Sequence, residues 1–127
     1  MATDKPYKIT ISTDFEQSRR YDFFIGCALC NQADEQIGFA RLEDLADSEA
    51  VDNPSPRSAS LEVEECDHLH MFIYLHTAIL PAVESVAKCR PFEISIEILH
   101  LGKTLLSQSY NVDQWGGCSI EIDTSRL

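Results

Sequence analysis

The residues with most chemistry to offer in this 127-residue chain are its histidines and cysteines. His68, His70 and His76 fall in one long apolar run, His68 to Leu80. In an extended segment they share one face, with His68 and His70 about 7 Å apart along the strand. Two imidazoles so placed can reach one metal ion. His76 lies roughly 20 Å from His70 along a straight strand and cannot join them. His100 ends another strand-like run and can approach from across a sheet. Glu65, Cys66 and Asp67 stand close in sequence as further ligands. This gives a candidate divalent metal site of His68, His70 and His100, whose open coordination position would activate water. The plainer reading is preferred, because His-x-His is short enough to arise by chance. It makes these half-exposed strand residues beside Phe72 and Tyr74. A pH switch is a third reading, since imidazole titrates near neutrality.

Cys27-x-x-Cys30 has the spacing of a redox dithiol or half a zinc site, with Cys66 and His68 as the missing ligands. It closes a strand-like run instead of opening a helix. Alternation puts the two thiols on opposite faces, which argues against both uses. The corner Asn111–Gly117 carries the single tryptophan. Trp115 either caps the core with its indole N–H bonded, or forms an exposed platform with Tyr110. The capping reading is preferred. Asp67, Asp113 and Asp123 could gather at one end of a sandwich as calcium ligands, without an EF-hand run. Arg19 and Arg20 are read as a solvated pair. The chain has no glycine-rich phosphate loop, G-x-S-x-G elbow or H-E-x-x-H helix.

The elements that must position these groups are mostly strands. Phe92, Ile94, Ile96 and Ile98 alternate with Glu93, Ser95 and Glu97, a period of two. Gly102-Lys103 links this run to the next as a hairpin. Cys118, Ile120 and Ile122 repeat the alternation, so Pro91 to Asp123 is expected to form three antiparallel strands with one buried face. Tyr7, Ile9 and Ile11 mark a first strand. Tyr21 to Cys30 is apolar at nearly every position, as in a central strand or one covered on both faces. Ile37 to Leu42 can pair back on it, and Ala59 to Glu65 alternates again. Residues 1–6 are expected to fray, and Pro81 to Lys88 to form a short crossover helix. Glu43 to Arg57 is read as an exposed acidic loop. About seven or eight short strands point to an antiparallel β-sandwich with at most one short helix. The runner-up is α+β, a helix laid on an antiparallel sheet. One domain, residues 1–127, accounts for the length.

The net charge of −11 disfavours nucleic acid and anionic membranes as partners. No apolar run approaches the roughly 18 residues of a membrane span. An odd number of cysteines and the lack of a leader-like start point to a cytoplasmic protein with reduced thiols. The function expected first is therefore non-catalytic: a small acidic module that binds another protein, or itself, through a strand edge or the acidic loop. Glu43, Asp44, Asp47 and Trp115 are its candidate contact residues. No cofactor is expected apart from the possible metal. The alternatives are a metal-binding protein or metal-dependent enzyme built on the histidine row, and a carrier of a small apolar ligand held among Phe23, Phe72 and Ile96.

Overall fold

The computed structural model describes residues 5–51 and 56–127. Its strands are β1 (Tyr7–Thr13), β2 (Tyr21–Cys30), β3 (Gln36–Asp44), β4 (Arg57–Val63), β5 (His68–Thr77), β6 (Phe92–His100), β7 (Lys103–Val112) and β8 (Cys118–Asp123). They form two sheets of four, ordered β4-β1-β6-β7 and β3-β2-β5-β8. Every strand pair is antiparallel. Period-two alternation aims one side of each strand inward. Ile9, Ile11, Ile96 and Ile98 of the first sheet meet Phe23, Ile25, Leu69, Ile73 and Leu75 of the second, all essentially fully buried. The protein is an antiparallel β-sandwich.

The chain crosses between sheets at every connection except the β2–β3 and β6–β7 hairpins. This corrects the expected three-strand unit. β8 leaves β7 and pairs with β5 in the other sheet, His70 opposite Asp123 and Leu75 opposite Cys118. Alternation says which face a strand buries but does not name its neighbour. The corner is closed by an isolated bridge between Asp113 and Gly117. Gly117 has φ +76°, and a Cβ there would lie 2.0 Å from the Leu75 carbonyl oxygen. The β6–β7 turn falls on Leu101-Gly102, one residue earlier than the sequence suggested, with φ +51° and +80°. Both positive values suit the tight turn that matches strand twist.

Three more expectations change. Residues 83–88 form a 3-10 turn, with Val83 90% exposed. No α-helix occurs among the described residues, so the α+β alternative is excluded. Val83 and Val86, expected on the helix's apolar stripe, are both exposed. Residues 1–4 lie outside the described residues, but Pro6 is tied down, its carbonyl accepting from the Leu101 N–H at 2.9 Å. The segment 43–57 is not one exposed loop. Glu43 and Asp44 belong to β3, and Val51 is buried; residues 52–55, with Asn53-Pro54-Ser55, lie outside the described residues. Arg57 opens β4 and is 1% exposed. Its guanidinium lies 3.7 Å from the Phe23 ring centroid and donates to the carbonyls of Ser18, Tyr21 and Asp44. A buried charge stays where this many acceptors satisfy it.

Candidate functional site

The candidate site is the outer face of the second sheet. Alternation that sends Leu69, Met71, Ile73 and Leu75 into the core sends His68, His70, Phe72, Tyr74 and His76 outward along β5. In β2 the outward set includes Phe24, Gly26, Ala28 and Cys30. The register puts Cys30 opposite His68, Ala28 opposite His70, and Phe24 opposite Tyr74. The face therefore has a polar, metal-type end and an aromatic middle.

At the polar end the β2–β3 turn brings Asp34, at φ +62°, over the two histidines. Asn31 holds that turn, its Oδ1 accepting from the N–H groups of Ala33 and Glu35. Asp34 Oδ1 lies 2.7 Å from His68 Nε2 and 2.8 Å from His70 Nε2. His68 Nδ1 lies 2.7 Å from Asp67 Oδ2. Asp123 Oδ2 is 3.6 Å from His70 Nε2. The buried Cys30 thiol completes a group of four, one ligand atom each from Cys30, Asp34, His68 and His70, all within 4.8 Å of one another. Hydrogen bonds from both histidines hold the Asp34 carboxyl below its ordinary range. The same bond to Asp34, and then the one to Asp67, raises His68. Burial, reinforced by the Asp34 charge, raises the Cys30 thiol.

Of the sequence-predicted metal ligands, His68 and His70 come together and His100 does not. His100 lies in the first sheet, stacked on Tyr7 at 4.2 Å with Nε2 3.0 Å from both Glu65 carboxylate oxygens. It ends β6 in the other sheet, and its ring is taken up by Tyr7 and Glu65, so it does not join the His68–His70 group. Glu65 goes with His100, and Cys66 donates its thiol to the His68 carbonyl. Asp67 supports His68 instead of adding a separate ligand. Cys27 points into the core, where burial pushes its thiol up to about 12. The two thiols are indeed on opposite faces; only Cys30 belongs to this group. Asp113 caps Gly116 N–H at the far end of β8 and does not join Asp67 and Asp123. Asp34 was the member of this group that the sequence concealed. Its signal was a turn acid three residues after Asn31, and only the hairpin register carries it to β5.

The aromatic middle is exposed, and beside it lies the half-buried outer side of β2, a strand whose apolar run suggested a central position or cover on both faces. Phe39 of β3 is 60% exposed, Phe72 55% and Tyr74 47%. The Phe39 ring lies over Gly26, and Phe24 packs against Tyr74 and His76 at 5.8 and 5.6 Å between centroids. These side chains, with Arg41, Glu43 and His76, line a shallow groove. His76 pairs with Asp22 at 3.2 Å.

The predicted contact residues disperse. Glu43 is exposed at the rim of this groove. Asp44 faces inward, its carboxylate 3.1 Å from Arg57 Nε, and is structural. Asp47 lies in the following turn and accepts from the Glu49 N–H. Trp115 is half-exposed in the β7–β8 corner, across β2 and β5 from Glu43. The corner itself is anchored by backbone: the Gln114 carbonyl accepts from Tyr21 and Thr77, and the indole is not the core cap. Phe72 points outward while Phe23 and Ile96 are buried, so the three do not line a common apolar-ligand cavity. Arg20 is buried against Gln17 and the Leu80 carbonyl, not solvated.

Fold and face together define a two-sheet β-sandwich with one outer surface unlike the other. No protein-family model matches the chain, and no curated protein matches it. Among solved structures, a DUF4425 family protein from Bacteroides ovatus ATCC 8483 is similar in fold, with a TM-score of 0.56 over 98% of this chain and 99% of that one. The two are 12% identical, so the likeness concerns architecture alone. No helix among the described residues is long and apolar enough to cross a membrane.

Proposed function

We propose that this protein is a non-catalytic interaction module that docks a partner protein on the aromatic groove of the second sheet. The observation that carries the reading is the exposure of Phe39, Phe72 and Tyr74 as neighbours on one sheet face. Scattered surface apolar residues need no explanation, but a contiguous apolar patch with a polar rim marks a binding surface. Aromatic side chains are also what interface centres favour.

The rim argues for the partner's chemistry. Glu43 and Arg41 line the groove, Asp22 pairs with His76 at its edge, Glu121 stands opposite Phe72 on β8, and the chain as a whole carries −11. A segment with apolar side chains flanked by lysine or arginine would meet the groove and be steered to it. A second copy would bring two acidic rims together, so a basic partner is favoured over self-association.

The test is affinity capture from an extract of the source cells, comparing the wild-type chain with Phe39→Ser/Phe72→Ser and with Ser95→Ala on the other sheet. The expected result is a partner retained by wild type and Ser95→Ala, lost from the double variant, and released as salt rises. Equal retention by the double variant removes the groove from the account.

A further inference from the structure

We propose that Cys30, Asp34, His68 and His70 bind one zinc-class divalent cation, through the Cys30 thiolate, one Asp34 carboxylate oxygen and Nε2 of each histidine. The site stands independently of the docking groove. Three elements build it: β5 supplies the two histidines, β2 supplies Cys30 opposite His68, and the β2–β3 turn delivers Asp34. The four ligand atoms already lie within 4.8 Å of one another. Bonds of roughly 2.0–2.3 Å to a tetrahedral ion would set them about 3.3–3.8 Å apart. Side-chain adjustment covers that difference without moving a strand.

Hydrogen-bond accounting points the same way. His68 faces a carboxylate oxygen with each ring nitrogen, both at 2.7 Å. A neutral imidazole has one N–H. In the neutral form Nδ1–H goes to Asp67 and the Nε2 lone pair faces the lone pairs of Asp34, a repulsion that the imidazolium relieves with a second proton and that a metal ion relieves by taking that proton's place. A cation between Nε2 and Asp34 Oδ1 converts that repulsion into two bonds, and His70 Nε2, 2.8 Å from the same oxygen, adds a third. Asp67 is then a positioning residue that fixes the ring and its tautomer, as carboxylates behind metal-bound histidines do.

One sulfur, one oxygen and two imidazole nitrogens form a borderline donor set suited to Zn²⁺; Ca²⁺ and Mg²⁺ require oxygen cages. Four protein ligands fill a tetrahedral ion. The site is therefore structural, a clip that ties the β2–β3 turn to β5.

The test uses the full chain, reduced, stripped with a chelator and titrated with Co²⁺ and then Zn²⁺. The expected result is a saturable tetrahedral d–d spectrum with a thiolate charge-transfer band at one equivalent, displaced by Zn²⁺. Cys30→Ser should abolish the charge-transfer band. Asp67→Asn should weaken Zn²⁺ binding about 10–100-fold; His70→Ala should weaken it further. His100→Ala, which lies in the other sheet, should leave it unchanged. His70 is half-exposed, so its variant is expected to fold and carries the decision, with circular dichroism as the check. No saturable Co²⁺ spectrum, or unaltered Zn²⁺ affinity in both His70→Ala and Cys30→Ser, overturns the site and leaves a hydrogen-bonded His–Asp cluster. Loss of binding in His100→Ala would also overturn this ligand set. Phe39→Ser/Phe72→Ser touches none of the ligands, so failure of the docking reading is read out separately.

Discussion

On the outer face of the first sheet, β1 presents Lys8, Thr10 and Ser12 and β6 presents Glu93, Ser95 and Glu97. On the outer face of the second, β2 and β5 present Phe24, Phe72 and Tyr74, and β3 adds Phe39. The inner faces differ little: isoleucines dominate one, and isoleucine, leucine and phenylalanine the other. A sandwich needs only one buried face per sheet. The first sheet's outer face is what folding alone requires, a solvated surface with small contacts such as the Thr10–Ser60 hydroxyl pair at 3.0 Å. The second exceeds that requirement. Its aromatic middle and its His–Cys–Asp end lie outside the core cluster, and the docking and metal proposals rest on that excess.

The comparison presumes that both sheets share one core, and the largest predicted effect tests that. Arg57 starts β4 of the first sheet and bonds the ends of β2 and β3 in the second. Arg57→Ala strands the Asp44 carboxylate and several carbonyls, and should cost about 3–5 kcal/mol. Denaturant unfolding followed by Trp115 fluorescence and by far-ultraviolet circular dichroism should shift together. Separate transitions would mean that the two sheets are separate cooperative units.

Adjacent residues of β5 sharpen the contrast of faces. Ile73 is fully buried and Phe72 is 55% exposed. Ile73→Ala should cost about 2–5 kcal/mol. Phe72→Ser should change stability by less than roughly 1 kcal/mol. A loss for Phe72→Ser as large as that for Ile73→Ala would show that the aromatic middle is core after all. The two turn glycines make a similar pair. Gly117→Ala puts a methyl on the Leu75 carbonyl as well as at positive φ, whereas nothing lies within 4 Å of a Cβ at Gly102. Thermal melts should show roughly 2–3 kcal/mol lost for the first, and about 1 kcal/mol for the second.

The smallest effect near neutral pH is shared by the sheets. Burial pushes Tyr7 in the first and Tyr21 in the second each up to about 12 from 10. The folded chain then holds protons that the unfolded chain gives up. Their contribution is complete below pH 10 and is lost as pH rises toward 12. Tyr21→Phe should flatten part of that alkaline loss in pH-dependent melts.

Much of the fold was legible in the residues. Period two in β1, β4, β6 and β8 set which side chains are buried, and the continuous apolar run of β2 marked it as central. Chain neighbours were less legible, because β8 carries the same alternation whether it extends the first sheet or joins the second. At the site, strand parity alone put His68 and His70 together and separated Cys27 from Cys30.

By itself, then, the sequence determined a strand-rich acidic chain, its buried faces and the two-histidine row, because alternation and charge act between near neighbours. The tertiary structure decided the rest. It set Asp34 and Cys30 beside His68 and His70 and kept His100 apart, buried Arg57 against Asp44, and left Phe39, Phe72 and Tyr74 uncovered. Each of these depends on which strand lies beside or above which, and that is settled by packing across the whole core.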